Sequence, residues 1–353
     1  MDPVRIAAVG VGRWANVLAD AYTPSPDVQL VTCYNRSPEK GQAFAQKYGC
    51  EYSDSLEALL QRDDIEGVIV TVPNDHHASV IEQVARAGKH VYVEKPIAVD
   101  LQEALLIERV VNETGITFMC GHSARRLGGL RKMKEMKNSG ALGQVSTVEA
   151  VFSNERGLEL KPGDWRGNPE KSPGGPLTQL GVHQIDNMQY LMGPVKQVFT
   201  MGKPMYTKVS NSTVLQTLVE FEDGTMGYLG TNWACPGSFT FNMYGTTANL
   251  FYELDFGWWS NSDVTDEHSS LLKVEFEHLS DDPDNRTLAK GPVQFSRTNH
   301  LRDEIEEFAQ AIRGEAVVEV GARAAVLNVA VVLAGVRSNQ ENRPVEIQEI
   351  LEG

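Results

Sequence analysis

The chain has 353 residues, enough for about two domains and a core hiding roughly 75% of the unfolded surface. Lys+Arg total 32 against 47 Asp+Glu, a formal charge of −15, which excludes a charge-driven binder of nucleic acid or anionic membrane. There is no apolar run of about 18 residues and no leader-like N-terminus, and Cys33, Cys50, Cys120 and Cys235 are scattered, so a reduced cytoplasmic protein without disulfides or a zinc site is expected.

Val4–Val9 is a short apolar run that ends at Gly10-Val11-Gly12-Arg13-Trp14-Ala15. Val28–Tyr34 is rich in β-formers and leads into Asn35-Arg36-Ser37, and Pro38–Tyr48 carries helical spacing. Asp54 with Glu57, and Asp100 with Glu103, fit a capping box with Asp as the cap. Residues 67–72 are continuously apolar, which suits a strand buried on both faces. A helix over 78–87 ends at Gly88 as a C-cap. Residues 90–93 and 117–120 complete the strands. Strands alternating with helices predict β-α-β units and a doubly wound parallel sheet over residues 1–121.

After Gly121 the texture changes. A basic helix is expected over 126–137. From Val145 onward β-rich stretches dominate, including 213–221, 225–233 and 239–244, with a hairpin signal at Glu222-Asp223-Gly224. Helices are expected over 181–192, 301–312 and 322–334, and Asp281-Asp282-Pro283-Asp284-Asn285-Arg286 reads as a solvated loop. Residues 122–353 therefore read as a substrate and oligomerisation domain of α+β type with an open, mainly antiparallel sheet, whose late helices can return to the first domain.

The glycine turn carries the first chemical signal. G-x-G-x-x-A directly after a strand permits a tight turn, close approach of a pyrophosphate, and tight helix–strand packing. The following helix directs its positive N-terminal end at the phosphates. About 20 residues further on, an NAD-selective site holds a carboxylate for the ribose. Asn35-Arg36-Ser37 stands there instead, and Arg36 and Ser37 can donate to a 2′-phosphate. NADP is therefore favoured over NAD; an Arg36 that only stacks on adenine is the alternative.

Two further motifs, Glu94-Lys95-Pro96 and Gly174-Gly175-Pro176-Leu177-Thr178-Gln179-Leu180-Gly181-Val182-His183-Gln184-Ile185-Asp186, join Thr71-Val72-Pro73-Asn74-Asp75-His76-His77 in an order that resembles the Gfo/Idh/MocA family of oxidoreductases. The resemblance runs from Ile6 to Pro344. It implies a Rossmann domain followed by an α/β domain whose sheet forms a substrate wall and a homodimer or homotetramer interface. It implies a dehydrogenase or reductase acting on a secondary alcohol or ketone of a sugar, cyclitol or related polyol. Two other readings are a relative that retains NAD for transient oxidation during elimination or glycoside cleavage, and a non-catalytic cofactor sensor.

The site implied by the resemblance and the residues together has Lys95 and His183 as the catalytic pair. A partly desolvated lysine can relay protons, and a histidine suits a general base taking a hydroxyl proton as hydride leaves. Asp186, three residues on, could support His183 or pair elsewhere. The cofactor would meet Gly10, Val11, Gly12, Arg13, Trp14, Asn35, Arg36, Ser37, Thr71, Pro73, Asn74, His77, Glu94 and Lys95. A small polar substrate would meet Lys95, His122, Arg126, Trp165, Arg166, Gln179 and His183. No metal is expected, because the adjacent His76 and His77 do not share a face. Gln179 departs from the Asp that many polyol dehydrogenases of the family carry there. It can hydrogen-bond a hydroxyl but carries no proton.

Overall fold

The structure is a computed structural model describing residues 2–278 and 286–353; residues 281–285 of the expected acidic loop lie outside the described residues. The chain forms two compact units, residues 1–123 with 299–329, and residues 124–298 with 330–353. Among the described residues no helix is long and apolar enough to cross a membrane.

In chain order, the first unit begins β1 (Val4–Val9), α1 (Arg13–Tyr22), β2 (Val28–Tyr34), α2 (Pro38–Tyr48), β3 (Glu51–Tyr52), α3 (Leu56–Leu60) and β4 (Gly67–Val70). It continues with α4 (His77–Arg86), β5 (His90–Glu94), α5 (Leu101–Thr114) and β6 (Phe118–Gly121). The six strands form a sheet in the order β3-β2-β1-β4-β5-β6, parallel throughout. This is the doubly wound order with its switch point between β1 and β4. β4 is buried at all four positions, as its unbroken apolar run predicts. Asp100 caps α5 by accepting from the Glu103 amide at 2.9 Å. At α3 the cap is Ser55, which accepts from the Ala58 amide at 3.1 Å, so the helix starts one residue later than a cap at Asp54 requires.

The second unit contains α6 (Gly128–Asn138), β7 (Val145–Ser153), α7 (Arg156–Glu159), α8 (Val182–Met192), β8 (Val195–Lys203), β9 (Val214–Phe221), β10 (Met226–Asn232), β11 (Ser238–Gly245), β12 (Ala248–Leu254), β13 (Ser269–His278) and β14 (Thr287–Pro292). Then come α9 (His300–Ile312), α10 (Ala322–Glu341), β15 (Val345–Glu346) and α11 (Ile347–Leu351). α9 and the start of α10, to Val329, belong to the first unit. Leu301, Ile305 and Phe308 of α9, one stripe of a helix, lie in one core with Ile6, Leu18, Tyr22, Phe44 and Tyr92. The second sheet runs β14-β13-β12-β11-β7-β10-β9-β8-β15. Its pairs are antiparallel except β10 with β7. β9 and β10 meet through the Glu222-Asp223-Gly224 turn, where Gly224 takes φ +85° and the Asp223 carboxylate accepts from the Thr225 amide at 2.9 Å. The helix expected over 181–192 begins earlier, as a π-helical turn over Leu177–Gly181 that runs into α8.

Candidate active site

In the first unit the predicted residues gather at the carboxyl edge of the parallel sheet, at the turns after β1, β2, β4 and β5. Gly10 takes φ +84°, and a Cβ there would lie 2.8 Å from the Val72 amide nitrogen. Glycine is therefore required where this turn crosses the one after β4. Thr71 closes the same crossing: its amide donates to the Val9 carbonyl at 2.9 Å and its hydroxyl donates to the Gly10 carbonyl. Gly12 is different. A Cβ placed on it would meet nothing within 4 Å, so the space beside the turn is open. Gly12 is also the N-cap of α1, with no side-chain cap and no acid in the first turn. Open space, uncapped N–H groups and a buried Ala15 together fit a pyrophosphate.

The turn after β2 is tied to this cradle. The Asn35 Oδ1 accepts from the Val11 amide at 3.2 Å and its Nδ2 donates to the Ser37 carbonyl at 3.1 Å. Ser37 departs from its expected role. Its Oγ accepts from the Lys40 amide at 3.5 Å and donates to Glu39 Oε2 at 2.8 Å, so the hydroxyl is committed to capping α2. That hydroxyl also holds the Glu39 carboxyl below its ordinary range. Glu39 is a carboxylate that the reading of Asn35-Arg36-Ser37 missed. Arg36 remains exposed and donates from Nη1 to His76 Nε2 at 3.3 Å.

His77 is wholly buried. Its Nε2 lies 3.0 Å from the Val72 carbonyl oxygen, and its Nδ1 lies 3.0 Å from that of Pro96 and 3.3 Å from that of Ile97. Burial pushes its pKa down. Facing inward, it joins the turn carrying Pro73 and Asn74 to the one carrying Lys95, and so supports a cofactor site by holding loops. Lys95 is half-buried and precedes Pro96 through a cis peptide. Glu94 is buried, which raises its pKa, while the neighbouring Lys95 charge acts the other way. The Tyr92 hydroxyl lies 3.3 Å from Glu94 Oε1 and 2.7 Å from Glu304 Oε2. Glu304 comes from α9, 212 residues after Tyr92, and no local pattern announces it. His122 is buried, with Nε2 3.2 Å from Asn328 Nδ2.

In the second unit His183 lies in the first turn of α8 and is 4% exposed. Phe152 of β7 and Trp259 wall it, with ring centroids at 5.7 and 5.4 Å. Phe239 and Phe256 extend this aromatic cluster. Asp186 is paired with Arg125, whose Nε and Nη2 donate to its two carboxylate oxygens at 2.8 and 2.6 Å. Gln179 sits in the π-helical turn and donates to Ser172 Oγ at 3.2 Å. Arg126 is buried, and Thr298 Oγ1 donates to its carbonyl at 2.8 Å. Trp165 is exposed, with the Arg166 guanidinium 4.3 Å from its ring centroid. The structure thus brings the cofactor residues together in one unit and places His183, Gln179, Arg126, Trp165 and Arg166 in the other. Among the described residues no group of three His, Cys, Asp or Glu could hold a metal ion.

Residues 4–122 match the profile of an oxidoreductase family with an NAD-binding Rossmann fold, and residues 130–251 that of the Gfo/Idh/MocA C-terminal domain. A crystal structure from Desulfitobacterium hafniense, provisionally named an NADPH-dependent oxidoreductase, is 61% identical with TM-score 0.96 and covers 99% of both chains. A 2,7-anhydro-N-acetylneuraminate hydratase of Mediterraneibacter gnavus is 32% identical over 57% of this chain and 52% of its own. An inositol 2-dehydrogenase of Rhizobium meliloti is 31% identical over 54% of this chain and 55% of its own. The matched part is about half the length of these curated relatives.

Proposed function

Because this chain belongs to the Gfo/Idh/MocA family of oxidoreductases, we propose that it moves hydride between a nicotinamide dinucleotide and a secondary alcohol or ketone of a sugar, cyclitol or related polyol. The observation that carries this reading is the open, uncapped glycine turn at the switch point of the sheet, with Lys95 directly after β5. Open α/β sheets bind their ligands at that edge. Gly10, Val11, Gly12, Arg13 and Trp14 would hold the pyrophosphate through the N-terminus of α1, and Asn35 and Arg36 the adenosine ribose. The bound cofactor supplies the hydride chemistry, and the protein supplies placement and proton transfer.

His183 is the general base for the substrate hydroxyl. Its aromatic walls restrict water around the imidazole, and a positioned base contributes about 100- to 10,000-fold. Lys95 orients the reacting oxygen and shares the proton. Gln179 donates to a substrate hydroxyl without taking a proton. NADP is the favoured cofactor, supported by the uncharged Asn35, the exposed Arg36 and the name given to the 61%-identical relative.

The test is a screen of sugars and polyols with NADP and NAD, followed by nicotinamide absorbance, on wild type, Lys95→Ala and His183→Ala. Both variants should fold and bind cofactor while turnover falls about 100- to 10,000-fold. Near-native kcat in either would remove that residue from the chemistry.

A second reading is favoured by the hydratase among the relatives. The site would then oxidise and re-reduce one substrate, giving elimination or addition of water with no net cofactor turnover. Product formed without an absorbance change, with cofactor co-purifying, would select it.

A further inference from the structure

The first unit offers a contact that the nucleotide-binding reading leaves unused. The sheet order puts β2 and β4 on either side of β1, so the turns after those two strands lie at one edge. Arg36 leaves the first turn and His76 the second, and they meet at 3.3 Å between Nη1 and Nε2, 40 residues apart in sequence. A guanidinium has five donors and no acceptor. The contact therefore requires His76 Nε2 to accept, with the ring proton on Nδ1. His76 is itself fixed: its amide donates to the Pro73 carbonyl at 2.9 Å and its carbonyl accepts from Ser79 Oγ at 3.1 Å.

The other polar side chains named at this turn supply no cation. Asn35 is bonded at both ends of its amide, and the Ser37 hydroxyl is divided between Lys40 and Glu39. The Glu39 carboxylate opposes a second negative group nearby. Reading a phosphate there falls to Arg36, and an exposed arginine is free to swing unless something holds it.

We propose that His76 is a positioning residue for cofactor specificity: by accepting from the Arg36 guanidinium it holds that cation where the adenosine 2′-phosphate of NADP is read. The proposal rests on the NADP reading above. A single side-chain hydrogen bond corresponds to about 2- to 10-fold in an equilibrium constant, and that is the size of effect the clasp should have.

The experiment is calorimetric titration of the apo chain with NADPH, NADH, adenosine 2′,5′-bisphosphate and adenosine 5′-diphosphate. It uses wild type, His76→Ala, His76→Gln, Arg36→Ala and the double alanine variant, each checked for an unchanged melting temperature. His76→Ala should weaken NADPH and the 2′,5′-bisphosphate about 3- to 10-fold and leave NADH and the 5′-diphosphate unchanged. His76→Gln, whose Oε1 can accept from Arg36, should recover most of the loss. With Arg36 already replaced, His76→Ala should cost nothing further. Equal loss for NADPH and NADH, or full additivity in the double variant, would overturn the positioning role while the NADP reading stands. A wild type that binds NADH as tightly as NADPH would overturn the NADP reading and the clasp with it.

Discussion

The imidazole of His77 has a carbonyl oxygen 3.0 Å from each ring nitrogen and is wholly buried. A neutral ring has one N–H and can satisfy one of those carbonyls; protonation would satisfy both but must be made against burial, which holds the pKa down. The folded chain therefore binds fewer protons than the unfolded chain between the two pKa values. Stability rises with pH through that window, is full above the unfolded value of about 6.5, and is lost as pH falls below it. Burial lowers the pKa of His90 in the same direction. His77→Gln should make the fall in melting temperature between pH 7.5 and 5.0 shallower by about 2–5 °C. Parallel curves for variant and wild type would count against this account. The place of Arg36 at the end of β2 is readable because strand, glycine turn and the spacing to the next strand end define it. The inward orientation of His77 is not readable, since its partners are backbone carbonyls of residues 72, 96 and 97. Ser37 was legible as a polar turn residue, but the helix that begins at Pro38 claims its hydroxyl first.

Among the elements, the glycine turn separates stability from binding. Gly10→Ala puts a side chain at φ +84° and 2.8 Å from a backbone nitrogen, so the turn itself must shift. Gly12→Ala adds a methyl to open space. The expected outcome is a clear drop in melting temperature for Gly10→Ala and a near-native one for Gly12→Ala. NADPH affinity should nevertheless fall at least about tenfold in Gly12→Ala, since one lost contact with a charged group is worth about 1.5–3 kcal/mol. Thermal unfolding and titration on the same samples decide it; a Gly12→Ala protein that binds normally would mean the pyrophosphate does not approach there. The long strands and helices were legible because apolar runs and their bounding turns mark them. β3 was not: it is two residues long on a sheet edge. α10 reaches Glu341 rather than 334 because its last turns, Arg337 to Glu341, carry no apolar stripe to read. They are held by an i,i+4 pair at 2.8 Å and by Ser338, whose Oγ accepts from the Thr200 amide at 2.9 Å.

For the whole molecule, the second sheet leaves one face to be accounted for. β9 alternates strictly, with Leu215, Thr217, Val219 and Phe221 buried and the residues between them turned outward. Leu218 is 50% exposed and lies opposite Phe199 and Tyr228, with Met201 and Met226 close by, at 59% and 48% exposure. We propose that these exposed apolar side chains are where copies of the chain associate. Light scattering at micromolar concentration should give a dimer or tetramer, and Leu218→Arg should shift it toward monomer without lowering the melting temperature of the isolated subunit. A monomeric wild type would end this reading. The alternation was legible strand by strand, whereas the parallel pairing of β10 with β7 was not, since their partnership spans about 80 residues of intervening chain. The first unit carries a different consequence, one of timing. Its core requires Leu301, Ile305 and Phe308 of α9 beside Ile6, Leu18 and Tyr22, so a ribosome that has finished β6 has not yet made the helix that completes this core. At ~5–20 residues per second, about 200 further residues take ~10–40 s. During that interval the nascent parallel sheet presents a partly uncovered apolar face, and chaperone capture should be concentrated on chains of intermediate length.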